Sequence, residues 1–137
     1  MSLTQAIGEI EGALAAAPVS LTKHPDNGDL TLLESSILDG SFLLIVSDGG
    51  EPWPEAAPAG DGPRIWVATV RIEVGTLIKD SYQESSILSV GRGRSVVEAL
   101  RYTNLTYGQV WPVVEPSSEV AERLILWSAE YNLRYEE

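Results

Sequence analysis

Residues 64–74 read RIWVATVRIEV, and their larger apolar side chains recur at every second position. Trp66, Ala68, Val70, Ile72 and Val74 share one face, while Arg71 and Glu73 take the other. Successive side chains of a strand point to opposite faces, so this period of two predicts a half-buried strand of about eleven residues. The signature returns at the end of the chain. Between Arg123 and Tyr135, the residues Ile125, Trp127, Ala129, Tyr131, Leu133 and Tyr135 face one way, which predicts the longest strand of the protein.

Working outward, Ser2-Leu3-Thr4-Gln5 has the form of a capping box, and Leu3, Ile7, Ile10 and Leu14 follow at helical spacing. An amphipathic helix over about 3–16 is expected, ending before Pro18. Gly8 and Gly12 lie off its apolar stripe, cost about 1 kcal/mol each relative to Ala, and read as tolerated surface glycines. A second capping box, Ser95-Val96-Val97-Glu98, predicts a helix running to about Asn104. Residues 24–29 read as a turn, followed by two strand-length segments, Leu30 to Leu33 and Phe42 to Val46, with a turn at Asp39-Gly40 between them. Val110 to Val114 reads as a strand in which Pro112 requires an edge position or a bulge. Residues 76–90 carry no decisive pattern. The expected fold is α+β: a mostly antiparallel sheet of four to five strands with two helices packed on it, formed by residues 1–137 as one domain.

Residues 48–63, DGGEPWPEAAPAGDGP, hold four prolines and four glycines and no base. Proline cannot join a central ladder and glycine costs backbone entropy, so a long loop between two strands is expected. Loops of this length in compact domains are commonly functional. Trp53 has no obvious core role there, and Glu51, Glu55 and Asp61 keep the segment solvated, so these four residues are expected to make contacts with a partner.

Charge is the strongest compositional bias. The chain of 137 residues carries a net charge of −11, and residues 1–63, with ten acids and only Lys23 as base, account for −9 of it. Such a field opposes nucleic-acid binding, which needs clustered Lys and Arg to displace counterions, so no specific nucleic-acid partner is expected. There is no cysteine and only one histidine, His24, which removes disulfides, thiolate nucleophiles and multi-histidine metal sites. No uncharged run approaches the length of a membrane span, and the N-terminus, interrupted by Glu9 and Glu11, does not read as a signal peptide. No catalytic constellation, cofactor motif or metal-ligand set is marked, so a non-enzymatic protein without a cofactor is expected. His24, beside Pro25 and Asp26, reads as a solvent-facing turn residue.

Gly91-Arg92-Gly93-Arg94-Ser95 reads as a loop feeding the second helix, where backbone amides and two guanidinium groups could meet an anion. The spacing matches neither a P-loop nor a dinucleotide fingerprint. A contact from Arg92 and Arg94 to acidic residues of a neighbouring subunit is the favoured reading, given the acidic first half.

The order of elements, the N-terminal helix LTQAIGEIEGALAA, the strand RIWVATVRIEV and the final strand WSAEYNLRYEE together resemble the tail terminator proteins of long-tailed bacteriophages. The resemblance implies a structural virion subunit, assembled in the host cytoplasm. It further implies a homo-oligomeric ring, expected to be a hexamer, that caps the tail tube and joins it to the head connector, with tube and connector proteins as partners. A second reading from another class is a small acidic adaptor or inhibitor that binds a basic protein surface.

Overall fold

A computed structural model describes residues 2–16, 21–23, 39–52, 65–101, 108–121 and 123–136. The elements run α1 (Leu3–Ala15), β1 (Thr22–Lys23), β2 (Ser41–Pro52), β3 (Ile65–Leu77), α2 (Tyr82–Arg101), β4 (Gly108–Ala121) and β5 (Leu124–Glu136). The strands form one sheet in the order β1-β2-β3-β5-β4. Only the short β1–β2 pair is parallel, so the fold is α+β with a mostly antiparallel sheet, as the alternation implied.

The two long alternating strands are neighbours at the centre. β3 and β5 pair without a register shift from Ile65↔Glu136 to Leu77↔Leu124, which sets Val70 opposite Tyr131 and Val74 opposite Trp127 on one face. That face is buried: Ala68, Val70, Ile72 and Val74 on β3, and every second residue from Ile125 to Tyr135 on β5. Both helices join the same core. Ala6, Ile10 and Leu14 enter from α1 and Val96 and Leu100 from α2, with Phe42 from β2 completing it. Each fully buried aliphatic or aromatic side chain of this set contributes about 1.5–3 kcal/mol by leaving water.

The α1 capping box forms as its letters require. Ser2 Oγ accepts from the Gln5 amide at 3.2 Å, and the Ser2 amide donates to Gln5 Oε1 at 2.8 Å. The second helix differs from expectation. It begins at Tyr82, not at Ser95, and Ser95 is buried within it. Its true N-cap is Ser81, whose hydroxyl accepts from the Glu84 amide at 3.3 Å. The strand expected at Val110 to Val114 extends over Gly108–Ala121, at the sheet edge and with register shifts after Pro112 and Val114, as the proline implied. The loop expected at 48–63 is corrected over its first five residues. Residues 48–52 belong to β2, with Asp48 opposite Thr69 and Glu51 opposite Val67; one register shift takes up Ser47 and the next takes up Gly49 and Gly50. The strand expected at Leu30 to Leu33, the turn with His24, and residues 53–64 lie outside the described residues.

Candidate assembly interface

Two regions combine residues that the sequence marked for interaction, and the structure gives them different tasks. Around Arg92 the task is internal. The guanidinium Nη1 donates to Asp39 Oδ1 at 2.8 Å, to Thr76 Oγ1 at 3.0 Å and to the Gly75 carbonyl at 3.2 Å. Asp39 also accepts from the Leu77 amide at 3.1 Å and stands 3.5 Å from Lys79 Nζ. The expected turn is present here: Gly40 takes φ +75°, a left-handed conformation that glycine adopts without steric cost, and Arg92 closes over it. Burial raises the Asp39 pKa, but the hydrogen bonds from Arg92 and Leu77 and the charges of Arg92 and Lys79 outweigh it and hold the carboxyl below its ordinary value. Arg92 thus fastens α2 to β3 and to the entry of β2. The expectation that Gly91 to Ser95 form a loop feeding the helix is corrected, since these residues lie in the helix interior.

Gly93 explains why a glycine stands in a helix. A Cβ there would overlap the indole of Trp127. With Ser85 and Ser89 it makes a small-residue row, all buried, that lets α2 lie close on the sheet.

Arg94 turns the other way. At helical spacing, Ile87, Val90, Arg94, Val97 and Arg101 share the solvent side of α2. Ile87 and Val90 are each 65% exposed, which is unusual for side chains of this type. The stripe leads into a groove of about 630 Å³ between the end of α2 and β4, lined by Val97, Leu100, Arg101, Val110, Val114 and Tyr131, among others. Beyond it β4 leaves Val113, Val114 and Val120 about half exposed. Tyr131 forms part of the groove wall with its ring buried, and that burial pushes its phenol pKa up, so the hydroxyl stays neutral. Among the described residues this arrangement is an exposed apolar band that also carries Arg94, Glu98 and Arg101.

Of the six residues marked in the sequence, Arg94 lies on this band, Arg92 is internal, and Glu51 lies on β2 at the other side of the sheet. Trp53, Glu55 and Asp61 lie outside the described residues. The valines of β4 and the stripe on α2 were not marked. The recurrence of Ile87, Val90 and Val97 at helical spacing was the available signal, and it becomes visible only once α2 is known to start at Tyr82. Among the described residues no group of three or more His, Asp or Glu side chains could hold a metal ion, and no helix is long and apolar enough to cross a membrane. Compared with protein-family models and with curated proteins, the chain matches none.

Proposed function

We propose that this protein is a structural ring subunit of the phage tail-terminator kind. Copies associate into a ring, a hexamer by that resemblance, which stops growth of the tail tube and offers a docking surface to the head connector, without catalysis. On this reading the subunit folds in the host cytoplasm and ends in the virion tail. The observation that carries the reading is the continuous apolar band of α2 and β4, which the subunit's own core leaves uncovered. The order of helices and strands, closing on the β4–β5 pair, also supports the reading. A net charge of −11 suits a conduit through which DNA passes without being held. The acidic adaptor reading accounts for the charge but not for Ile87, Val90, Val113 and Val114 in solvent.

The test is native mass spectrometry with negative-stain microscopy of the purified chain at high concentration. The expected outcome is annuli of uniform diameter and a species of six times the 14.8 kDa subunit mass. A monomer at every concentration overturns the ring.

A further inference from the structure

We propose that β2 has two registers available to it on β3, and that the clasp of Asp39 with Arg92 and Leu77 selects the one observed. The proposal concerns the subunit alone and does not depend on the ring. In the observed register Phe42, Leu44 and Val46 stand opposite Val74, Ile72 and Val70, and the ladder then skips Ser47 before Asp48 meets Thr69. The skipped residue is a bulge, and it defines the alternative. Sliding residues 42–46 by one position sets Leu43 opposite Val74, Ile45 opposite Ile72 and Ser47 opposite Val70, and runs into the Asp48–Thr69 pair without a break. The slipped strand is therefore the more regular of the two.

A slip of one residue exchanges the two faces of a strand, and a buried face normally forbids it. Phe42 to Val46 is apolar throughout, so the exchange meets little opposition here. Phe42, 1% exposed, would leave the core, but Leu43 and Ile45 would enter it, and Val46 is already 40% exposed where it stands. Polar contacts just ahead of the strand supply the rest of the discrimination. The Gly40 amide donates to the Gly75 carbonyl at 3.0 Å, and Asp39 forms an isolated bridge with Gly75. Asp39 Oδ1 accepts from Arg92 at 2.8 Å and from the Leu77 amide at 3.1 Å. The slip moves Phe42 to the place opposite Gly75 and pushes Asp39 and Gly40 one residue past their partners, so these bonds break together. Bonds to charged groups are the stronger kind, and their joint loss holds β2 in its bulged register.

The chain holds no cysteine, so introduced pairs report the register without interference. Residues directly opposite each other in a ladder come close enough for a disulfide, whereas a residue one position along points to the other face. Leu43→Cys with Glu73→Cys marks the observed register, and Leu44→Cys with Glu73→Cys marks the slipped one. With the clasp intact, mild oxidation of the full-length chain should join the first pair and leave the second open. Adding Asp39→Ala should raise cross-linking of the second pair at least about tenfold over the same pair with Asp39 in place. Deleting Ser47 as well removes the bulge from the observed register, and should return cross-linking to the first pair. Where circular dichroism shows Asp39→Ala unfolded, Arg92→Lys, which keeps the charge and loses the planar donors, is read in the same way. A folded clasp variant that cross-links only at 43 and 73 overturns the proposal, as does a second pair that cross-links equally with the clasp intact or broken. Failure of both clasp variants to fold, even with Ser47 deleted, would tie the clasp to folding rather than to register and overturn it too.

Discussion

β4 and β5 are hydrogen-bonded to each other along most of their length and are nearly equal in size, yet they meet water in opposite ways. Every second residue of β5 from Ile125 to Tyr135 is buried, whereas residues 112–120 of β4 are exposed on both faces. The ladder between them is common to both, so that pairing does not decide burial. Coverage does: β5 lies between β3 and β4 with α2 laid across it, while β4 forms the edge and meets α2 only near the groove. The apolar residues of β5 belong to this subunit's core. Those of β4 beyond Pro112 contribute little to it, and on the proposed ring reading a neighbouring copy covers them.

The largest test of this contrast is on β5. Trp127→Asp puts a charge against Gly93 and the core and should cost about 3–5 kcal/mol, read as a large fall in melting temperature or loss of folding. Ser128→Asp, one residue later on the outer face, should shift stability by about 1 kcal/mol or less. Equal shifts would mean that the inner face of β5 is not the core.

A middle-sized effect is expected where the covered region is held by polar contacts. Arg92→Ala leaves Asp39 with its carboxylate partly buried and short of its main donor, which should cost about 2–4 kcal/mol in denaturant unfolding. The pH dependence gives a second reading. Because the folded pKa of Asp39 lies below its unfolded value, its contribution is present above about pH 4 and is lost as pH falls through the lower folded value. The acid limb of the stability profile should therefore be flatter in Arg92→Ala. An unchanged limb would detach the Asp39 carboxylate from the fastening of α2.

The smallest effect belongs to β4. Val114→Asp should alter the stability of the dilute subunit by about 0.5 kcal/mol, because its side chain is already half in water. A loss comparable to that of Trp127→Asp would show that β4 is core after all and would erase the contrast.

How much of this was legible in the sequence follows the same division. β3 and β5 announced themselves because each has one buried face, and burial on one face writes a period of two. α1 was legible through its capping box and apolar stripe. α2 was missed over its first half because its buried row there is Ser85, Ser89 and Gly93, small residues that write no hydrophobic period, while its exposed row is apolar and inverts the usual pattern. The cap at Ser81 and Glu84 was the signal that would have placed its start. The far half of β4 was missed because Pro116, Ser117 and Ser118 interrupt the strand pattern, although an edge strand with bulges tolerates them. Arg92 and Arg94, two letters apart, looked alike. Only the helix separates them, since a step of two residues turns about 200° around its axis and sends one inward and the other to water.

The bulges and prolines of β4 bear on how long such a subunit can wait. An open strand edge with half-exposed valines is a template for runaway stacking of chains, the first step towards fibres. Pro112 and Pro116 each remove a donor from β4, the two register shifts keep it from lying flat, and Glu115 and Glu119 add like charge along it. A neighbour's side chains can still settle on such a strand, while a neighbour's backbone has poor purchase for extending the sheet. On the proposed ring reading, the feature that a sequence reader sees as a broken strand is a safeguard for the unassembled pool: it leaves the strand open to a neighbour's side chains and too irregular to seed fibres.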